Sequence, residues 1–220
     1  SIFSTIKPEF KAIAKRVKER AYLIAGLFFH LYDQRNGQEI HYYFDGGIES
    51  LVRHLNKNKG PINEKPFYVG KEINNIMVEA SFQYNDGYNE TIESFANVIN
   101  TPEGGSHLTG FRMALTRAVN DYARKNGYLK EKDDNLTGED MREGLTAVIA
   151  IKMNSESLQF EGQTKGKLGN AEVQPVVNQA VKEGLDTYLE ENPPEARRIM
   201  EKVILAAKAR LAARAAKDAV

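Results

Sequence analysis

Apolar positions at helical spacing open the chain. Between residues 8 and 25, Phe10, Ile13, Ala14, Val17, Ala21, Leu23 and Ile24 fall on one broad face, with Lys11, Lys15, Arg16, Lys18 and Arg20 between them. That pattern predicts an amphipathic packing helix with a solvated basic face, and Gly26 supplies its stop. Residues 27–33 and 39–45 are rich in Phe, Tyr and branched side chains and flank Gln34-Arg35-Asn36-Gly37-Gln38. Asn-Gly between two such runs predicts a β-hairpin. Gly46-Gly47 then opens a helix over residues 48–58, with Leu51, Val52 and Leu55 inward, closed by the Lys, Asn, Gly and Pro of residues 57–61.

Strand patterning follows at 67–69, 75–84 and 89–100, with Asn85-Asp86-Gly87 as a tight connection between the last two. Ile76, Val78, Ala80 and Phe82 alternate with Met77, Glu79, Ser81 and Gln83, so one face is buried and the other more polar. After the glycine turn at 101–105, Ser106 is expected to cap a helix reaching Asn126. Phe111, Ala114, Leu115, Ala118, Val119 and Tyr122 form its buried face, Arg112, Arg117, Arg124 and Lys125 its basic one, and Gly127 ends it. Residues 130–134 form a charged loop. Thr137 and Asp140 are spaced as a capping box. Residues 145–153 are almost continuously apolar, as in a strand covered on both faces. Strand 89–100, helix 105–126 and strand 145–153 then make a β-α-β unit in a largely antiparallel sheet of five or six strands.

Two helices close the chain, 171–191 and, after Asn192-Pro193-Pro194, 194–217. The second has a thin apolar stripe (Ile199, Val203, Ala207, Leu211) and reads as a projecting strut or dimer-contact helix, too narrow in its apolar face for deep core. From Arg197 to Lys217 seven basic residues face the single acid Glu201, a net +6.

The 220 residues are 41% hydrophobic, enough for a sizeable core, and suit one large domain or one domain with an appendage. Formal net charge is zero, so overall charge does not point to nucleic acid. The absence of Cys excludes disulfides and thiolate zinc sites and fits a cytoplasmic setting. No apolar run approaches the ~20 residues that span a bilayer. His107 is expected to be a structural, hydrogen-bonded residue. His30, His41 and His54 lack metal-ligand spacing, so no metal site is expected.

Candidate chemistry gathers at residues 158–170, which carry three glycines and two lysines without helical or strand period. Glycine lets backbone approach a ligand, and a loop lysine suits a phosphate. The loop is not a P-loop: three residues, not four, separate Gly162 from Gly166, and Leu168 follows Lys167. By composition alone it is more readily a solvated connector capping the helix from Ala171 than a phosphate contact. No residue constellation carries a reaction by itself.

The wording of that loop, Gln163-Thr164-Lys165-Gly166-Lys167-Leu168-Gly169-Asn170, resembles the end of the second, transducer domain in the B-type ATPase subunit of bacterial type IIA topoisomerases, the gyrase B and topoisomerase IV family. Tyr43-Phe44-Asp45-Gly46-Gly47-Ile48, Gly104-Gly105-Ser106-His107-Leu108-Thr109-Gly110-Phe111-Arg112, Ala114-Leu115-Thr116-Arg117 and Gly138-Glu139-Asp140-Met141-Arg142-Glu143-Gly144-Leu145 extend the likeness in order over nearly the whole chain. The resemblance implies an α+β fold like domain 2 of ribosomal protein S5, a mostly antiparallel sheet packed by helices with a left-handed β-α-β crossover. It implies a transducer domain over residues 1–192 and a connecting helix over 193–220. The GHKL ATPase and TOPRIM domains are not recognisable in this sequence, which begins without Met and is expected to be an excised piece, inactive alone.

By the same resemblance, Gln163 and Lys165 reach the γ-phosphate of ATP held, with Mg2+, by the neighbouring GHKL domain. Arg112 lines a cavity for the transported DNA segment, with Arg117 and Arg124 as further wall residues. Expected partners are the chain's own GHKL and TOPRIM domains, the DNA-cleaving A-type subunit, double-stranded DNA and a second copy of the B-type subunit, with no membrane. Gyrase is favoured over topoisomerase IV. Two rivals are a non-catalytic nucleic-acid-binding S5-like module and a purely structural domain whose loop never meets ATP.

Overall fold

The structure, a computed structural model, describes residues 9–218. The expected helix start at Pro8 lies outside them. Two units divide the chain, Ser1–Leu51 and Val52–Val220. In the first, α1 (Phe10–Leu23) precedes an antiparallel hairpin of β1 (Phe29–Asp33) and β2 (Gln38–Tyr42). Gly26 takes a φ of 75° at the stop after α1, as its position predicts. Tyr22 stacks on Phe44 with ring centroids 3.6 Å apart, tying α1 to the end of the hairpin. Residues 34–37 turn the hairpin with Gly37 at φ 72°, and Gly37 N donates to Asp33 O at 2.9 Å. Helix α2 (Gly47–Asn56) follows.

The second unit is built on a five-stranded sheet in the order β3-β4-β8-β5-β6. Its strands are β3 (Phe67–Ile73), β4 (Ile76–Tyr84), β5 (Thr91–Ala96), β6 (Ile99–Asn100) and β8 (Leu145–Lys152). Strand β8 runs antiparallel to β4 and parallel to β5, so the β-α-β unit is present, with α3 (Ser106–Lys125) as crossover. Seven of the eight β8 residues are buried, as its unbroken apolar run requires. Helix α3 packs against α5 (Val173–Glu191), which also lies on β3. They close together at Gly110, where a Cβ would stand 2.5 Å from Gln174 O. The Thr137–Asp140 capping box forms at the start of α4 (Gly138–Arg142). The chain is of the α+β class.

Four expectations need correction. The tight connection at 85–87 does not place its flanking strands side by side, because β8 is inserted between β4 and β5. The segment 89–100 is two strands, folded back where Asn97 and Val98 take φ values of 44° and 63°. Ser106 is the first helical residue and makes no capping bond; Gly105, at φ 130°, is the residue at the cap. Finally, α6 (Pro193–Asp218) does enter the core over its first half, with Ala196, Ile199, Met200 and Val203 fully buried. Its charges are used in packing: Lys202 Nζ donates to Gly87 O at 2.8 Å and pairs with Glu143, and Arg210 grips Asp140 at 2.7 and 3.1 Å. Only the turns beyond Arg210 are exposed throughout. Among the described residues no helix is long and apolar enough to cross a membrane.

Candidate phosphate-contact loop and arginine helix

The glycine-rich segment is itself a small hairpin. Strand β9 (Phe160–Glu161) pairs antiparallel with β10 (Lys167–Leu168), and the tip between them is Gly162-Gln163-Thr164-Lys165-Gly166. Two-residue strands are too short to leave a period in the sequence, which is why the segment reads there as a plain loop. Gly162 turns the tip at φ 75°. Lys167 Nζ pairs with Glu161 at 3.0 Å across the hairpin. Asn170 is fully buried at the base: its Oδ1 accepts from Gln159 N at 2.7 Å, and its Nδ2 donates to Ser157 O at 2.8 Å and Glu172 Oε1 at 2.7 Å. A buried amide with its donors and acceptor satisfied fixes where the tip leaves the fold.

The tip presents Gln163, Thr164 and Lys165 to solvent. Among the described residues Lys165 has no carboxylate partner; its Nζ lies 5.7 Å from the centroid of the Phe160 ring. Its backbone is in the left-handed region, φ 56°, uncommon outside glycine. A lysine and an amide on an exposed, rigidly based tip, with neither committed to an acid, fit phosphate oxygens.

The same hairpin is joined to the arginine helix through backbone. Strand β10 pairs parallel with β7 (Gly104–Gly105), directly before α3, in the register Lys167↔Gly104 and Leu168↔Gly105. Glu103 N donates to Gly166 O at 2.9 Å. A side chain at Gly105 would collide with Leu168, its Cβ 2.2 Å from the carbonyl oxygen. Sequence reasoning singles out neither Asn170 nor this contact, although the paired glycines at 104–105 are the kind of signal that marks close backbone approach.

Arg112 and Arg117 line a groove of about 590 Å³ beside Thr116, Asn120 and Asn178. Arg112 Nη2 donates to Glu90 Oε2 at 2.8 Å, while Arg112 Nε and Glu90 Oε1 are buried without a partner. Arg117 is largely exposed, with Asp121 at 4.0 Å. Arg124 is bound to the neighbouring loop. Its guanidinium donates to Lys130 O, Asp133 O and Asn135 Oδ1 at 2.7–3.1 Å and so organises the 130–135 loop. His107 is structural as expected: it is fully buried, and Nε2 lies 3.0 Å from Thr101 Oγ1. Burial pushes its imidazole down to about 4. Elsewhere, the β1–β2 register brings His30 and His41, which have no metal-ligand spacing in the sequence, together with Glu39.

The chain is similar to several known proteins. The gyrase B protein of Clostridium acetobutylicum is 48% identical over 218 residues, 99% of this chain and 34% of that protein. The gyrase B protein of Streptococcus pneumoniae serotype 4 is 52% identical over 212 residues, 96% of this chain and 32% of that protein. The chain therefore spans about a third of the length of these relatives. Among solved structures, the 43K ATPase domain of Thermus thermophilus gyrase B, in complex with an aminocoumarin, superposes with a TM-score of 0.89 at 41% identity, covering 100% of this chain and 58% of that one. The topoisomerase IV ATP-binding domain of Francisella tularensis gives 0.81 at 30% identity, covering 95% and 56%. The sequence profile described as DNA gyrase B matches residues 47–219, and the chain belongs to that family.

Proposed function

We propose that this chain is the transducer domain, with its connecting helix, of the B-type component of an ATP-dependent type IIA DNA topoisomerase, a gyrase. The observation that carries the reading is the exposed Gln163–Lys165 tip, anchored by buried Asn170 and joined by backbone pairing to the start of α3. The GHKL domain of the intact subunit would hold ATP and Mg2+ and present the γ-phosphate. No acidic cluster suited to Mg2+ occurs at the tip among the described residues.

Bound ATP supplies the phosphoryl group that passes to water. Lys165 leaves the Phe160 ring and neutralises charge on that group as it departs, and Gln163 orients the phosphate or the attacking water. These contacts exist in one nucleotide state and not the other, so the tip has a different preferred position in each. Because β10 pairs with β7, displacement of the tip moves the backbone at the start of α3 and turns the unit as a body. Arg112 and Arg117 face the groove through which the transported DNA would pass, meeting phosphates without sequence preference. The A-type subunit, double-stranded DNA and a second copy of the B-type subunit are the partners of this cycle. The gyrase B relatives favour gyrase over topoisomerase IV.

The test is DNA-stimulated ATP hydrolysis by the full enzyme complex carrying Gln163→Ala or Lys165→Ala, with the folding of each variant checked by thermal melting. Turnover is expected to fall by about 10²-fold or more, the scale of losing a group that stabilises transition-state charge. Both side chains are exposed, so melting should be unchanged. Normal turnover would reduce the tip to a connector. A salt-sensitive affinity of the isolated chain for DNA, lost with Arg112, would favour the nucleic-acid-binding alternative.

A further inference from the structure

The β1–β2 hairpin carries histidines on opposite strands in one register. His30 is the cross-strand partner of His41, and Glu39 is the partner of Tyr32. Residues two apart on a strand share a face, so His30, Tyr32, Glu39 and His41 project from the same side. That side is exposed. His30 Nε2 lies 3.2 Å from Glu39 Oε2, and His41 Nε2 lies 4.0 Å from the same oxygen. The two imidazoles have centroids 4.3 Å apart and planes inclined at 46°. One ligand atom from each of the three residues falls within 4.8 Å of the other two.

We propose that His30, Glu39 and His41 bind a divalent transition-metal ion of the zinc class, and that the ion clamps the two strands of the hairpin. Two imidazoles and a carboxylate form a donor set that zinc accepts, with water in the fourth position. Ligands about 2.0–2.1 Å from a tetrahedral ion stand about 3.3–3.4 Å from one another. The observed 3.2 and 4.0 Å separations of the two imidazole nitrogens from the shared Glu39 oxygen bracket that spacing, and all three ligand atoms lie within 4.8 Å of one another. The exposed face leaves room for the solvent ligand. Imidazole donors also select zinc, copper or nickel over magnesium and calcium, which prefer oxygen.

The clamp has a physical purpose. A two-stranded sheet is marginal by itself, and here, among the described residues, β1 and β2 pair only with each other. An ion joining opposite strands binds the paired hairpin and not the open one, so its binding energy adds to the hairpin's stability. The site lies outside the phosphate-contact loop and does not depend on the function proposed for it.

Zn2+ is titrated calorimetrically into the chain after chelator treatment, for the unaltered protein and for His30→Ala, His41→Ala and Glu39→Gln. One ion should bind per unaltered chain, raising its melting temperature. Each variant should lose more than about tenfold in affinity, since even outer-shell changes cost about that much. Binding that survives a His30→Ala, His41→Ala double change would overturn the assignment, as would no binding at all. Should a histidine variant fold poorly, the ring-nitrogen resonances of the unaltered chain decide: His30 and His41 must shift on adding Zn2+, and shifts confined to His54 or His107 overturn the proposal.

Discussion

The backbone of Leu168 crosses Gly105 so closely that a methyl on Gly105 would stand 2.2 Å from the Leu168 carbonyl oxygen and 2.5 Å from its nitrogen. Gly105 also adopts φ 130° and ψ −160°, a conformation closed to residues with a Cβ. Gly105→Ala should therefore part β7 from β10 and cost about 2 kcal/mol or more, read as a lower urea midpoint. In the intact subunit, ATP turnover should fall although Gly105 is not itself a ligand.

Lys165 holds its left-handed backbone without being a glycine, at a cost of roughly 1–2 kcal/mol. Lys165→Gly should relieve that strain, less the extra freedom gained by the unfolded chain, and net a few tenths to about 1 kcal/mol of stabilisation. Lys165→Ala keeps the strain and should be neutral. Urea midpoints separate the two, while both variants lack the ammonium proposed to meet the phosphate.

The Asp140 carboxylate is buried, which alone would push its pKa up, but bonds from Arg210 and from the Thr137 backbone and hydroxyl bring it below its ordinary value. A depressed carboxyl contributes stability that is present above its unfolded pKa, near 4. That contribution is lost as pH falls through the lower folded value. Arg210→Ala leaves a buried carboxylate with only its Thr137 partners and should cost about 2–3 kcal/mol at pH 7. It should also move the acid-induced loss to higher pH, which denaturation midpoints between pH 2 and 5 would record.

His107 governs a separate window. Thr101 Oγ1 donates to Ser94 O at 2.9 Å, so the histidine nitrogen facing it is the N–H, and Nδ1 is buried without a partner. The folded imidazole protonates at about 4 against an ordinary 6.5. Between those values the unfolded chain binds the proton and the folded chain does not. Stability should therefore fall as pH drops from 6.5 to about 4, by on the order of 3 kcal/mol. Replacing His107 with Gln removes the titrating group and should flatten the slope in that interval, whatever it does to stability at neutral pH.

Much of this fold is legible from local pattern. Helix α1, the Asn36-Gly37 hairpin, α2, the Thr137–Asp140 cap and the buried run of β8 each carry their own period or turn chemistry, and each is found where that chemistry puts it. Strand order is not local: nothing in residues 76–96 says that a segment some fifty residues later will separate β4 from β5. Charge misleads at α6, because Lys202 and Arg210 look like surface residues and are instead paired with Glu143 and Asp140 on the helix's packed side. At the site, Gln163 and Lys165 stand out by composition and wording. Glu90, which neutralises Arg112 from 22 positions away, leaves no trace in any local pattern. The His30–Glu39–His41 grouping is equally invisible until the hairpin register is known.

The insertion of β8 between β4 and β5 also sets an order of events during synthesis. Strand β5 ends at Ala96 and β8 begins at Leu145, and the intervening stretch of about 50 residues emerges over roughly 3–10 s at ribosomal rates. Through that interval β4, which carries Ile76, Val78, Ala80 and Phe82 on its apolar face, can pair with β3 along one edge, while the backbone of its other edge lacks the neighbour that β8 later supplies. An apolar strand with an open edge is a template for association with other chains. The nascent polypeptide is thus most exposed to aggregation in the seconds before its most deeply buried strand arrives, and the open edge of β4 is covered once that strand is in place.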